Sequence, residues 1–243
     1  MKLRTFAIRN AKEILRDPLT IIFSLGFPVV LLILLSAIQA NIPVPLFVIE
    51  NLAPGIAIFG LAFMSLFSAT LISRDRETAL LQRLYTTPLT ARDFILGYAL
   101  PMIPISVAQS IITYLLAVIL GMPVSMSILY ALLFIIPVSL LYIALGLMCG
   151  SVFNVKQVGG ICGALLTNLS AWLSGIWFDL ELVGGLFRDI AYALPFVHAV
   201  ELQRSVIAGN YGAILPHLAV VLAYSVVLLM LAIWLFVRQM KKQ

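Results

Sequence analysis

Few side chains in this sequence could carry acid–base or metal chemistry. His198 and Glu201 stand one helical turn apart, and His217 is the only other histidine. A zinc site takes three or four protein ligands, so this set is too small. The spacing instead favours a polar helix face that includes Arg204, and no metal site is predicted.

Nucleophilic catalysis has equally little support. Ser174 precedes Gly175, and His217 is the one imidazole placed to serve it as a base, but neither HExxH nor GxSxG occurs. GxxxxGK[ST] does not occur either, so no nucleotide is predicted to bind through a P-loop. The favoured interpretation is that the chain is not itself an enzyme, with an intramembrane hydrolase using Ser174 and His217 as an alternative.

The composition explains why reactive groups are scarce. Of 243 residues, 63% are hydrophobic and 10% are charged, and the mean hydropathy is +1.12. Soluble chains carry about 25% charged residues, because their surface must face water. A soluble fold is therefore excluded, and lipid must be the solvent.

Charge-free stretches place the elements that must position these side chains. No Asp, Glu, Lys or Arg occurs in residues 18–49, 94–155 or 205–237. A crossing helix needs about 20 residues, and Gly121-Met122-Pro123 divides the longest stretch in two. The predicted fold is an all-α polytopic membrane protein, a single transmembrane domain over 1–243 with six spans at 19–38, 54–73, 94–120, 127–150, 159–177 and 215–237.

The distribution of basic residues predicts the orientation of these spans. Of the fifteen Lys and Arg residues, all but Arg188 and Arg204 fall on one side. Lys and Arg accumulate in cytoplasmic loops, so both termini are predicted to be cytoplasmic. The basic excess then reflects topology and lipid contact, and no nucleic-acid partner is predicted.

Two segments outside the spans are amphipathic. Residues 1–17 are predicted to form an interfacial helix with cations facing anionic headgroups, ending at Asp17-Pro18. Residues 74–89 are predicted to form a short cytoplasmic helix, and Thr90 with Asp93 predicts a cap for the third span. The apolar side of this second helix suits docking onto another protein, or contact with the membrane or the chain's own helices; it consists of Leu80, Leu81, Leu84 and Tyr85.

The fifth span carries small residues at every fourth position, which favours close helix packing over self-association. They include Gly159, Gly163, Ala171 and Gly175. No charge lies at membrane depth in the six spans, although ion-coupled transporters usually keep one there. Energy must then come from elsewhere, or the protein is a passive channel. Residues 178–208 are broken by Gly184-Gly185 and Pro195 and are predicted to be an extracellular re-entrant segment.

Two stretches of sequence carry a family resemblance. Residues 76–84 (RETALLQRL) with 87–90 (TPLT) resemble the "RE-G-T-x-E-x-L... sPlsr" region of ABC-2 type exporter permeases. Residues 173–178 (LSGIWF), 194–195 (LP) and 199–204 (AVELQR) resemble the "sGiffP... lP... a.R" region of the same family. Thr78 stands where that family often has Gly, and Tyr98 where it has Lys.

The resemblance implies a permease that lacks its own motor. Two copies would form a homodimer and bind two copies of an ABC ATPase subunit, which would hold the ATP and Mg²⁺, in the cell membrane of a prokaryote. No cofactor would bind to this chain directly. The contact with the ATPase would be Leu80, Leu81, Leu84 and Tyr85, with a charged rim of Arg74, Glu77 and Arg83.

The resemblance also implies a substrate path between protomers, lined by the first, second and fifth spans. Its residues would be Phe63, Ser65, Phe67, Ser68, Thr167, Asn168 and Trp172, and its outer gate Phe178, His198 and Glu201. An aromatic, weakly hydrogen-bonding path suits outward movement of a hydrophobic or amphipathic molecule, such as a drug, natural product, peptide or lipid. A permease for polysaccharide or glycolipid export is the alternative.

Overall fold

The fold is described by a computed structural model over residues 2–78 and 90–240, and every regular element there is helical. Two of the helical segments are π-helices, Ile22–Gly26 and Gly159–Leu166. The α-helices are α1 Lys2–Arg16, α2 Pro18–Ile21, α3 Phe27–Asn41, α4 Ile49–Glu77, α5 Ala91–Ala99, α6 Met102–Ile119, α7 Met126–Val152, α8 Val155–Val158, α9 Thr167–Trp172, α10 Leu180–Val183, α11 Gly185–Ala193, α12 Pro195–Ile207 and α13 Tyr211–Met240.

Five helical stretches are long and apolar enough to cross a membrane. They coincide with the predicted spans 19–38, 54–73, 94–120, 127–150 and 215–237. The third is divided into α5 and α6 at Leu100-Pro101, because proline has no N–H to continue the helical hydrogen bonding. The five stretches are Ile22–Asn41, Ile49–Glu77, Arg92–Ile119, Met126–Val152 and Tyr211–Gln239.

The predicted span 159–177 is the one that no helix of spanning length covers within the described residues. The chain there is helical through α8, the π-helix Gly159–Leu166 and α9, and this helical stretch ends at Trp172. Beyond it the backbone turns at Gly175, whose φ of 69° lies in the left-handed region that suits glycine. The helix is therefore shorter than predicted.

Helix α4 lies at the centre of the molecule. It packs against α3, α6, α7 and α12, and most of its side chains between Leu52 and Ser73 are buried. Gly146 and Gly150 of α7 face it so closely that a Cβ at Gly146 would overlap Ser65 and Ser68 of α4. Small residues thus serve helix contact within the chain, as they commonly do in lipid.

Helix α1 covers most of the residues predicted to form the interfacial helix, and one of its faces packs inside the protein. Phe6, Asn10 and Ile14 are buried along one face, and α1 packs against α5. A Cβ at Gly97 of α5 would overlap the Phe6 ring, so the two backbones approach closely there. The predicted cap of the third span is confirmed, because the Thr90 hydroxyl accepts from the Asp93 N–H and the Asp93 carboxylate accepts from the Thr90 N–H.

The segment predicted to be re-entrant consists of three short helices, α10, α11 and α12. Helix α12 packs against α4, α7 and α13. Its buried Gln203 donates to the Ala131 carbonyl oxygen over 3.1 Å and accepts from the Tyr114 hydroxyl over 3.0 Å. At a rise of about 1.5 Å per residue, α12 extends about 20 Å and is too short to cross a bilayer.

We expect Gly146→Ala to destabilise the protein by about 1–3 kcal/mol, because the added methyl group overlaps a backbone carbonyl of α4 that cannot move aside. Thermal unfolding in detergent measures the change. Gly159→Ala is the matched control, since a Cβ there meets no atom within 4 Å. Equal melting temperatures for the two variants would contradict the close contact of α4 and α7.

Candidate functional site

A buried carboxylate lies near the end of α4 that leads into the predicted coupling segment. Asp75 is 2% exposed. Its two oxygens accept from the two terminal nitrogens of Arg9 in α1, at 2.6 and 2.9 Å. The Tyr98 hydroxyl of α5 donates to the same carboxylate at 2.8 Å. A buried charge is costly unless it is paired and hydrogen-bonded, and Asp75 meets both conditions.

Arg9 joins this carboxylate to its own helix. It also pairs with Glu13 at 2.6 Å and donates to Asn10 at 2.7 Å. Burial lowers the pKa of Arg9, but the hydrogen bond and charge of Asp75 raise it by more, so the pKa lies above its usual value. Burial raises the pKa of Glu13, against the lowering effect of Arg9. Arg9 therefore remains charged while it holds Asp75.

A second polar bond and a ring cluster complete the contact between α1 and α5. Asn10 is fully buried and donates to the Gly97 carbonyl oxygen at 3.0 Å. The Phe6 ring packs edge-on against Phe94 and Tyr98, with ring centres 5.5 and 5.0 Å apart. We call the set Arg9, Asn10, Asp75 and Tyr98 the α1–α4–α5 junction.

The two residues after Asp75 bind helices other than α1 and α5. Arg76 donates to the Gly150 carbonyl oxygen at 2.8 Å, at the end of α7. The Glu77 carboxylate accepts from the Val155 N–H at 2.9 Å, at the start of α8. Three consecutive residues of α4 therefore contact α1, α5, α7 and α8.

The predicted coupling residues are only partly described by the structure. Helix α4 continues through Glu77, so Arg74 and Glu77 lie in its last turn and do not begin a separate helix. Glu77 was predicted to form part of the rim for a partner, and its carboxylate lies on α8. The remaining predicted contacts lie outside the described residues; they are Leu80, Leu81, Arg83, Leu84 and Tyr85.

The predicted substrate-path residues fall into three environments. Phe63 and Phe67 stack with ring centres 6.4 Å apart, and with Phe59 they form a row on α4 facing Phe23 and Phe27 of the first span. Three of the predicted residues are buried, and their hydroxyl groups donate to backbone carbonyl oxygens of the preceding turn. They are Ser65, Ser68 and Thr167.

The third environment is the outward face of α9. Asn168 and Trp172 are exposed there beside exposed Leu165 and Leu169. The Asn168 amide donates to the Ala164 carbonyl oxygen of the preceding turn at 2.7 Å. The structure therefore separates Asn168 and Trp172 from the buried hydroxyl groups.

The predicted small-residue positions do not share one face. A Cβ at Gly163 would contact Leu66 of α4, and Ala171 is buried, whereas Gly159 meets no atom within 4 Å. Gly175 lies beyond the helix end. The stretch is a π-helix over Gly159–Leu166 and an α-helix over Thr167–Trp172, so the residue spacing changes along it.

At the opposite end of α4, Arg204 of α12 joins three elements. It pairs with Glu201 at 2.9 Å and donates to the carbonyl oxygens of Gly175 and Asn51 at 3.0 and 3.4 Å. The predicted gate residue Glu201 therefore takes part in a contact between α12 and the start of α4.

The other predicted gate residues make ring contacts. Phe178 packs between Trp172 and Phe187, with ring centres 6.3 and 6.2 Å away. His198 contacts His217 of α13, with their Nδ1 atoms 2.9 Å apart, and its Nε2 lies 2.9 Å from the Tyr192 carbonyl oxygen.

The hydrolase alternative gains no support from this geometry. Ser174 is buried and donates to the Ala171 carbonyl oxygen at 3.0 Å, while the ring of His217 bonds to His198. In the part of the chain that the structure describes, Ser174 and His217 share no hydrogen bond, and no three His, Cys, Asp or Glu side chains are grouped to hold a metal ion. Cys149 and Cys162 are free thiols there and pack in one cluster with Ala69 and Val158.

The sequence does not predict this junction, because Arg9 lies among the cations of the predicted interfacial helix 1–17 and Asp75 in the predicted cytoplasmic segment 74–89. Asn10 is the residue that could have indicated it, because a polar side chain on the apolar face of α1 needs a buried partner.

The long apolar helices and the wholly helical pattern of the described residues define a polytopic membrane protein. The family model for the ABC-2 type transporter matches residues 1–208. The chain belongs to this family of membrane transport permeases. No curated protein matches the chain.

We expect Asp75→Ala to destabilise the protein by about 1–3 kcal/mol, because it removes the acceptor of the part-buried Arg9 donors and of the buried Tyr98 hydroxyl. Thermal unfolding in detergent measures the loss. Arg9→Met combined with Asp75→Leu should restore part of it, because the pair is then replaced by apolar groups.

The matched control for Asp75→Ala is Glu181→Ala, which removes the exposed ion pair with Arg188. We expect no measurable change in the melting temperature of that variant, since an exposed pair is screened by water. If Glu181→Ala lowered the melting temperature as much as Asp75→Ala, the junction would stabilise the protein no more than an exposed ion pair does.

Proposed function

We propose that the chain is the permease subunit of an ATP-driven exporter, energised by a separate ABC ATPase that docks on residues 74–89. The observation that carries this proposal is the α1–α4–α5 junction, at the point where α4 leads into that segment. A segment that receives force needs a rigid attachment to the spans, and bidentate Arg–carboxylate pairs supply such geometry. Family membership supports association with an ATPase.

Force applied to the coupling segment would reach most of the bundle through the last turn of α4. Asp75 would carry it to α1 and α5, and Arg76 with Glu77 would carry it to α7 and α8. Closure of two ATPases would then tilt the helices of two permease copies and alternate access to a cavity between them. Bistable packing converts small displacements into such transitions.

The side chains that this proposal places near that cavity suit an apolar or amphipathic substrate. The Phe59, Phe63 and Phe67 row faces the first span, and Asn168 with Trp172 stands on an exposed face that a second protomer would cover. An amide exposed to hydrocarbon is costly, which favours such a cover. Phe178, His198 and Glu201 would close the outer end, where residues 178–208 would re-enter the membrane beside a sixth span at 159–177.

The orientation belongs to the same proposal. The termini, the α1–α4–α5 junction and residues 74–89 would lie in the cytoplasm of a prokaryotic cell, and export would run toward the His198 side. The aromatic row also favours a second candidate, a permease for polysaccharide or glycolipid, because rings stack on sugars. Uptake of labelled glycan, but not of a hydrophobic dye, by inverted vesicles would identify this second candidate.

Replacing both Leu84 and Tyr85 with Asp tests the docking proposal. Co-expressed with an ABC ATPase subunit that co-purifies with the unaltered chain, the variant should lose most of that ATPase, because two charges cannot enter an apolar contact. Two measurements are made on one preparation, the mass ratio of ATPase to permease and the rate of ATP hydrolysis.

A matched control places Asp at Leu182 and Leu186, which are 82% and 76% exposed in the segment on the other side of the membrane. This control should retain the ATPase. If the Leu84 and Tyr85 variant retains the ATPase as well, the docking proposal is wrong. If the purified permease hydrolyses ATP without a partner, the proposal that a separate subunit hydrolyses ATP is wrong.

A further inference from the structure

An open groove of about 890 Å³ lies where α1 meets the start of the first span and the last turn of α4. Both polar and apolar side chains line it. The charged members come from α1, from Asp17 and from α4, and they are Arg9, Lys12, Glu13, Arg16, Asp17 and Arg74.

The charges in this groove are unevenly satisfied. Glu13 is paired with Arg9, which is itself held by Asp75. Asp17 accepts from the N–H and hydroxyl of Thr20, at 3.4 and 3.1 Å. Three other cations line the groove, namely Lys12, Arg16 and Arg74. None of them forms an ion pair within residues 2–78 and 90–240. The groove therefore has positive charge available for an anion.

Apolar surface adjoins these cations. Ile8 lines the groove and is exposed, and Pro18 at its edge leads directly into the first span. There Ile22 and Phe23 are 61% and 46% exposed. A soluble anion would match the cations alone, whereas a ligand with a negative headgroup and hydrocarbon chains matches both surfaces.

We propose that this groove is a specific site for one anionic phospholipid of the leaflet on the α1 side. Its phosphate is bound among Lys12, Arg16 and Arg74, and its acyl chains lie along Ile22 and Phe23. Because Arg74 precedes Asp75, the lipid sits beside the α1–α4–α5 junction. Arg74 then binds lipid, so the ATPase contact proposed above would begin after Arg74, and the lipid site does not depend on the proposed transport function.

Native mass spectrometry of the purified permease alone tests the site. The probes are phosphatidylglycerol and phosphatidylcholine with identical chains, added to the delipidated protein. Phosphatidylglycerol should bind in one-to-one ratio and more tightly. Lys12→Gln, Arg16→Gln and Arg74→Gln should each weaken its binding about five-fold, the factor that about 1 kcal/mol per basic side chain represents.

Two variants control for charge and for folding. Arg238→Gln removes a cation of α13 that lies over the Trp234 ring and outside the groove, and it should change phosphatidylglycerol binding less than two-fold. Arg16→Lys keeps the charge and should bind within two-fold of the unaltered chain. Each variant must also keep the melting temperature of the unaltered chain.

Several results would overturn the proposal. Equal binding of the two lipids, or full binding by the three Gln variants, would show that no specific headgroup site exists. Displacement of phosphatidylglycerol by millimolar inorganic phosphate would assign the cations to a soluble anion. Unchanged lipid binding by Arg74→Gln together with loss of a co-expressed ATPase would assign Arg74 to the partner protein. Failure of the exporter proposal alone would leave the lipid result unchanged.

Discussion

The pairing of buried Asp75 with Arg9 is the interaction on which the rest of the structure depends. A carboxylate removed from water requires a partner of opposite charge and hydrogen bonds to its remaining lone pairs. Arg9 and Tyr98 supply both, and in doing so they bring α1 and α5 onto the last turn of the central helix. The orientation of α1 that makes these bonds also buries Phe6 and Asn10.

From this point the molecule can be understood as one central helix with polar contacts at both ends. Between the ends, α4 makes close apolar contacts, and its serine hydroxyls bond within the helix. At one end Asp75, Arg76 and Glu77 bind four other helices, and at the other Asn51 accepts from Arg204. Polar groups at the ends are compatible with lipid around the middle, because they lie where α4 leaves the apolar region. Membership of the ABC-2 family implies association with an ABC ATPase subunit, and the α1–α4–α5 junction lies where α4 leads into residues 74–89.

Hydropathy could predict the spans because a bilayer demands about twenty apolar residues in sequence, and α4, α7 and α13 meet that demand locally. The Thr90–Asp93 cap was also predictable, because it is a local interaction between residues three positions apart. Arg9 and Asp75 are 66 positions apart, and the sequences of the two helices do not indicate which cation pairs with which carboxylate. The π-helix at Gly159–Leu166 could not be predicted either, because its hydrogen bonds span five residues and the fifth span was expected to be an α-helix, whose bonds span four. Residue pairs joined only by tertiary packing, such as His198 with His217, share this limit.

The distance between spin labels at positions 15 and 96 tests the central claim most directly. Leu15 of α1 and Leu96 of α5 are 62% and 46% exposed, so both accept a label in a chain whose Cys149 and Cys162 have been replaced by Ala. Pulsed electron spin resonance in nanodiscs should give one narrow distance distribution for the unaltered junction and a broad one for Asp75→Asn. A broad distribution with Asp75 in place, or the same narrow one without it, would contradict the claim that this buried pair holds α1 to the core.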